Sequence, residues 1–120
     1  MHQDWRGLAN GLAEPLKELR QGAPEQMRAF SALARAALEP RALDGKTKEL
    51  IALAIAVATR CDACIAFHAQ SAAKQGASRD EIMETMGMAI YMGAGPSVMY
   101  AAQAVEAFDQ FAAATQATAE

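Results

Sequence analysis

The sequence contains few residues of the kinds that usually bind partners or carry out chemistry. Two cysteines, two histidines and one tryptophan occur in 120 residues, and aromatic residues make up only 6% of the chain. The 11 lysines and arginines are scattered singly, and the formal net charge is −3. Nucleic-acid binding requires a basic surface that neutralises a row of phosphates. The composition therefore excludes nucleic acid as an expected partner.

Long apolar runs are also missing. The longest, residues 50–58, is far shorter than the roughly 20 residues that a membrane-spanning helix needs, and charges interrupt residues 1–20, where a signal peptide would be apolar. A disulfide between two cysteines so close in sequence would close only a tiny loop and remove little entropy from the unfolded chain. We therefore expect a soluble, cytoplasmic protein that binds no membrane and whose cysteine pair is catalytic or metal-binding.

Alanine and helix signals dominate what is present. Thirty of the 120 residues are alanine and 52% are hydrophobic, a composition that favours closely packed helices. The length allows one domain with one core, and no segment shows the alternation of a strand. The sequence predicts a single all-α domain over residues 1–120, a bundle of about six helices with its motif region at 44–108 and a frayed tail at 112–120.

Capping residues and helix breakers predict where the first helices begin. Asp4 and Asp44 are expected N-caps. Pro15 should kink or restart the first helix, and Pro24 suits the first position of the next one. The helix after Asp44 is apolar on every side over residues 50–58, which predicts a central position in the bundle.

Similar signals divide the second half of the chain. Gly76 should end the helix that begins near Cys61, and the sequence from Ser78 to Glu81 matches a capping box. A break is expected at residues 93–96, which contain two glycines and a proline. Residues expected to face the core are Met27, Phe30, Leu33 and Ala37, then Ile82, Met83, Met86 and Ile90, then Val98, Ala102, Val105 and Phe108.

Four residues form the most informative pattern, E-x11-C-x-x-C-x3-H, made by Glu49, Cys61, Cys64 and His68. They include both cysteines and one of the two histidines. On a helix Cys64 and His68 are neighbours at i and i+4, and Cys61 lies on the same stripe two turns from His68. Glu49 belongs to the first turns of the preceding helix, and the spacing leaves open whether it reaches His68. The pattern predicts a thiol redox site.

The chemistry of such a site follows from the thiolate, the reactive form of cysteine. His68 can accept the Cys64 proton while Glu49 orients the imidazole. If a peroxide oxidises Cys64 to a sulfenic acid, Cys61 can condense with it to a disulfide, which an external thiol must then reduce. Spacing alone does not decide which cysteine attacks, because a C-x-x-C pair commonly uses its first cysteine whereas the histidine is nearer the second. We favour Cys64.

Two further interpretations compete with parts of this hypothesis. The two cysteines, the histidine and the carboxylate form a legitimate zinc ligand set, but three ligands along one continuous helix would converge poorly on a tetrahedral ion. We therefore expect no bound metal. A group of methionines is expected to fill the core rather than to line an adaptable pocket for an organic hydroperoxide. These are Met83, Met86, Met88, Met92 and Met99.

Residues 46–100 resemble the core domain of the alkylhydroperoxidase D-like proteins within the carboxymuconolactone decarboxylase family. The resemblance covers about half of the chain and rests on the E-x11-C-x-x-C-x3-H pattern, the G-A-S-x-x-E-I turn and the M-G-A-G-P break. It implies an all-helical homotrimer or homohexamer with thiol-dependent peroxidase or disulfide reductase activity and no bound cofactor. By position, Cys64 matches the peroxide-attacking cysteine, Cys61 the resolving one, and His68 and Glu49 the proton relay. It also implies an external thiol reductant, such as a dihydrolipoyl group on a partner protein.

Two differences within that family bear on activity. The peroxidases that resemble this chain carry an additional histidine where this sequence has Ala63, which implies a weaker relay. The decarboxylase branch lacks the cysteine pair, which argues against lactone chemistry. The leading prediction is an antioxidant peroxidase that reduces hydroperoxides. The alternatives are a protein disulfide reductase or redox sensor, and a non-enzymatic zinc-binding or scaffold protein. A chain too short to bury all its apolar residues independently favours a homo-oligomer.

Overall fold

The computed structural model describes residues 1–119, and within them the chain forms six helices and no strand. The predicted all-α bundle is confirmed for this part of the protein. Glu120 lies outside the described residues. Residues 112 to Ala119 continue α6, and the fraying predicted for the tail at 112–120 stays a prediction. The helices are α1 Trp5–Gly11, α2 Ala13–Gly22, α3 Pro24–Leu38, α4 Gly45–Ala58, α5 Asp62–Lys74 and α6 Arg79–Ala119.

The first helix boundaries follow the predicted capping residues. Asp4 accepts a hydrogen bond from the Gly7 backbone N–H (3.0 Å), and Asp44 accepts one from the Thr47 backbone N–H (2.8 Å). Pro24 is the first residue of α3. Helix α1 ends before Pro15 and α2 restarts with that proline in its first turn, where its missing N–H costs nothing.

The later boundaries are also set locally. Gly76 adopts a left-handed φ of 81° after α5. The predicted capping box is formed, because Glu81 Oε1 accepts from the Ser78 backbone N–H (2.8 Å) and Ser78 Oγ accepts from the Glu81 backbone N–H (3.1 Å). Residues within a few positions of one another therefore determine where α5 ends and α6 begins.

The hydrophobic core lies between α4, α5 and α6, and α1 packs across α5 and α6. Its largest fully buried side chains are Trp5, Leu53, Val57, Ile65 and Ile82. Helices α2 and α3 contribute no buried residue, and among the described helices they touch only each other, α1 and α4. We call these two helices the α2–α3 arm. No helix in residues 1–119 is long and apolar enough to cross a bilayer.

Polar contacts hold the end of α3 against α4 and the N-terminal segment against α6. The Lys48 ammonium donates to the carbonyls of Ala37 (2.8 Å) and Glu39 (2.7 Å), which ties the end of α3 to α4. At the N-terminus, Glu106 accepts from the backbone N–H of His2 (2.6 Å) and from the Trp5 indole N–H (2.9 Å). The His2 N–H is the largest cause that lowers the pKa of Glu106, and the Trp5 N–H adds to it. The N-terminal segment is thereby held against α6.

Several apolar residues expected in the core are exposed. Although α4 is apolar all round, Ile51 is 44% and Ile55 56% exposed, because its neighbours cover only one side. Phe30 and Leu33 on the α2–α3 arm are each 63% exposed. The core prediction is correct for Met86 but wrong for four methionines. These exposed methionines are Met83, Met88, Met92 and Met99.

A kink in α6 accounts for the misplaced residues of its second half. The predicted break is confirmed, since Ala94 has φ 60° and ψ −151° inside the long helix. The change of direction turns Ala101, Ala104 and Phe108 inward and leaves Val98 42% exposed. Positive φ at this ψ is a region that only glycine occupies without strain. The backbone of Ala94 is therefore strained at the kink of α6.

Replacing Ala94 with glycine should relieve this strain. We expect Ala94→Gly to raise the free energy of unfolding by about 1 kcal/mol, because the Cβ penalty of positive φ disappears. Urea unfolding curves measure the change. Gly93→Ala is the matched control and should be destabilising, since a Cβ at position 93 would overlap Ser97 Oγ. A loss of stability in Ala94→Gly would show that Ala94 is not strained.

Candidate redox site

The site is built on the three-residue connection between α4 and α5. The Arg60 backbone N–H donates to the Val57 carbonyl (3.2 Å), and the Cys61 N–H donates to the Ala56 carbonyl (3.1 Å). These two bonds and the left-handed φ of 58° at Arg60 form a Schellman-type end to α4. The chain reverses, so that Gln75 at the end of α5 lies beside Gly45 at the start of α4. The two helices are antiparallel neighbours.

Both cysteines lie at the beginning of α5. Cys61 is its N-cap, and its Sγ accepts a hydrogen bond from the Cys64 backbone N–H at 3.2 Å. The two residues form a disulfide, with their Cα atoms 5.2 Å apart, and both are half-buried. The structure therefore brings the two predicted sulfurs together at a partly accessible helix N-terminus in the oxidised state.

Glu49 and His68 form the second pair of the site. Glu49 Oε2 lies 2.7 Å from His68 Nδ1, and the Glu49 side chain is only 7% exposed, against 31% for His68. Antiparallel packing causes this contact, because it places the second turn of α4 against the middle of α5. Among the described residues, the His68 imidazole is the hydrogen-bond partner of the Glu49 carboxylate. The contact that the spacing left open is thus formed.

The pairing determines what the imidazole can do. A carboxylate accepts hydrogen bonds, so Nδ1 carries the proton and, in the neutral ring, Nε2 is left as an acceptor. This is the tautomer that a general base needs. No hydrogen bond joins the imidazole to either sulfur within the described part of the chain. His68 and Cys64 are neighbours on one helix stripe without direct contact of this kind.

Two cysteines, a histidine and a carboxylate are also the residue types that bind zinc. Across residues 1–119, no group of three or more histidine, cysteine, aspartate or glutamate side chains is placed to hold one. The sulfurs that would be zinc ligands are bonded to each other, and a disulfide cannot provide the thiolates that zinc binds.

The backbone conformation of one residue in the connection between α4 and α5 was missed by the sequence prediction. Arg60 precedes Cys61 and occupies a backbone conformation that normally selects glycine. No residue of the connection signalled this conformation, because the glycine that usually marks such a helix end is absent. Position 60 is filled by an arginine instead.

Several known proteins are similar to this chain in sequence and in fold. The profile of the carboxymuconolactone decarboxylase family matches residues 24–107. A crystal structure of an apo protein of that family from Legionella pneumophila superimposes with a TM-score of 0.88 at 51% identity, covering 90% of this chain and 96% of that one. An uncharacterized protein of Haemophilus influenzae is 42% identical over 108 residues, which are 90% of this chain and 96% of the relative.

A more distant neighbour has the same fold. It is a carboxymuconolactone decarboxylase family protein from Thermotoga maritima, for which a part in the antioxidative response has been suggested, with a TM-score of 0.82 at 27% identity. The match covers 92% of this chain and 94% of that one. Because the family profile covers most of the chain and the relatives match along nearly their whole length, this protein belongs to the carboxymuconolactone decarboxylase family.

Proposed function

We propose that this protein is an alkylhydroperoxidase D-like, thiol-dependent peroxidase that reduces hydroperoxides through a dithiol–disulfide cycle of Cys61 and Cys64. The observation that carries the proposal is the disulfide at the start of α5, on the same helix as an imidazole held by the buried Glu49. A family neighbour with a suggested antioxidative part supports it. The protein needs no bound cofactor for this cycle.

The first step is attack on the peroxide by Cys64. His68 Nε2 takes the thiol proton, and Glu49 at Nδ1 orients the ring and stabilises its positive charge. The thiolate attacks the terminal oxygen of the hydroperoxide, and the O–O bond breaks. The departing alkoxide receives the proton from His68 and leaves as an alcohol, and Cys64 becomes a sulfenic acid.

The second and third steps close and reopen the disulfide. Cys61 displaces the sulfenic oxygen as water and forms the observed bond with Cys64. An external thiol then reduces it by exchange, and two reductant thiols become one disulfide. A small thiol or a dihydrolipoyl group on a partner protein would serve. These steps suit the cytoplasm, where thiols are kept reduced.

A protein disulfide reductase or redox sensor is the second candidate. The observation that favours it is the lack of a hydrogen bond from His68 to either sulfur among residues 1–119, with Ala63 where related peroxidases have a histidine. Such a protein would exchange disulfides readily and consume peroxide slowly. The substitutions below distinguish the two.

Substituting each cysteine separately tests the assigned roles. Cys64→Ser should abolish the reaction with one equivalent of an organic hydroperoxide, because the attacking sulfur is gone. Cys61→Ser should allow a single attack and leave a sulfenic acid, which a second equivalent of hydroperoxide should over-oxidise to a sulfinic acid. Intact-protein mass spectrometry with thiol trapping follows both reactions. Loss of the first attack in Cys61→Ser alone would reverse the roles, and peroxide-resistant thiols in the parent protein would favour the disulfide reductase.

Removing the proton relay should slow only the peroxide step. We expect His68→Ala to lower the rate of Cys64 oxidation at pH 7 by about 100-fold, within the usual range for a lost general base. Glu49→Gln should lower it by less, because the neutral amide can still contact the ring. The double variant should be no slower than His68→Ala, since the two residues act as one unit. Additive losses in stopped-flow measurements would disprove a shared relay.

The protein is also proposed to be a homotrimer or homohexamer, the assembly that the resemblance to the alkylhydroperoxidase D-like proteins implies. Large apolar side chains exposed on the single chain, among them Phe30, Ile55 and Met92, support association. Light scattering after size exclusion at micromolar concentration should give three or six times the 12.7 kDa chain mass. Phe30→Glu or Met92→Glu should reduce that mass, whereas Lys17→Glu, on the exposed side of α2, should not. A monomeric parent protein would contradict this assembly.

A further inference from the structure

Arg60 occupies a position that favours glycine. It is the second residue after the end of α4, following the C-cap Thr59; its N–H donates to the Val57 carbonyl, and its φ is 58°. A side chain at positive φ places Cβ against the backbone, and helices therefore usually end here with glycine. Within residues 1–119, Arg60 and Ala94 are the non-glycine residues that adopt positive φ. Glycine would allow the chain to reverse here with less strain, so the reversal alone does not explain why position 60 is an arginine.

The charge of Arg60 is unengaged. Its side chain is exposed, and no hydrogen bond or ion pair joins its guanidinium to another residue within the described part of the chain. Its Cα is about 3.8 Å from that of Cys61, the spacing of adjacent residues. Arg60 is therefore the cationic residue next to Cys61 in the chain, whose other neighbour, Asp62, is acidic.

The Cys61 sulfur already receives one stabilising contact. The Cys64 backbone N–H donates to it, and it caps the N-terminus of α5, where the partial charge of the helix is positive. The Cys64 sulfur has no such donor among the described residues. The Cys61 sulfur is therefore supported by the helix end, whereas the Cys64 sulfur depends on His68 only in the proposed cycle.

We infer that Arg60 is a positioning residue that, together with the Cys64 N–H, holds reduced Cys61 as a thiolate. The inference rests on the proposed peroxidase cycle and gives Cys61 a defined state in it. The Cys61 thiolate attacks the sulfur of the Cys64 sulfenic acid, the S–S bond forms and the S–O bond breaks. The departing hydroxide takes a proton from the solvent and leaves as water. A thiolate already present makes this step fast and limits over-oxidation of Cys64.

Other charges around Cys61 act in both directions. Asp62 is adjacent and exposed and opposes a thiolate, and Glu49 on α4 is paired with His68. Of the other helices that pack against α5, α1 carries one charged residue, the exposed Arg6. The charged residues of α6 either have other partners or are exposed. Arg79 pairs with Asp109, Glu81 pairs with Lys46, and Glu106 binds the N-terminal segment. Asp80 and Glu84 are exposed.

Three substitutions at position 60 separate charge from backbone strain. In a Cys64→Ser background, the rate of Cys61 alkylation by iodoacetamide is measured against pH. We expect its midpoint to lie below the value of about 8.5 for a free cysteine. Arg60→Gln and Arg60→Gly should raise the midpoint by roughly half a unit, the effect of one nearby charge in a largely aqueous setting. Arg60→Lys should leave it within about 0.2 units, since the charge is kept.

Thermal unfolding distinguishes an effect of the Arg60 charge from an effect on stability. If Arg60 had only a structural role, the reactivity of Cys61 would change only when the stability changed. Arg60→Gly relieves the positive φ, so this variant should unfold at the same or a higher temperature while its Cys61 becomes less reactive. A parent midpoint at or above 8.5, or an unchanged midpoint in both Arg60→Gln and Arg60→Gly, would overturn the inference. The assay uses no peroxide, so a failure of the peroxidase proposal would be seen separately, as thiols that survive hydroperoxide.

Discussion

The contact between the buried carboxylate of Glu49 and the imidazole of His68 is the interaction on which the site depends. A carboxylate that is almost fully removed from water is costly unless it has a partner. That partner is available only when α4 and α5 are antiparallel and in their observed alignment. The same alignment requires the tight reversal at Arg60, which in turn places Cys61 as the N-cap of α5. One requirement of the core thus fixes the orientation of the imidazole and the position of the sulfurs.

The helices contribute unequally to the hydrophobic core. Small residues allow α4, α5 and α6 to pack closely, and Trp5 closes one side of them. The α2–α3 arm has an apolar stripe but no buried residue, and α4 leaves Ile51 and Ile55 uncovered. Apolar area on this scale is unusual for a chain that functions alone. The α2–α3 arm is part of the exposed apolar surface that the proposed homo-oligomer would cover.

Local features of the sequence were predicted well because their causes are local. The caps at Asp4 and Asp44 and the capping box at Ser78 depend on residues within one helical turn, and the pattern of Cys61, Cys64 and His68 is fixed by helix spacing. The pairing of Glu49 with His68 could not be predicted, since it depends on how two helices align. The exposure of Ile55 and Met92 could not be predicted either, because burial depends on which neighbours are present. The left-handed φ at Arg60 was hidden by the absence of glycine.

The N-cap role of Cys61 links the covalent state of the sulfur to the start of α5. In the disulfide, the sulfur that accepts the Cys64 N–H is neutral, whereas a thiolate in the same place would accept it as a stronger, charge-assisted bond. With reduced Cys61 held as the inferred thiolate, reduction strengthens the cap of α5, and the folded protein then favours its dithiol form. A disulfide whose reduced form is preferentially stabilised has a higher reduction potential. In the proposed cycle, a higher potential makes reduction of the Cys61–Cys64 disulfide by an external thiol more favourable.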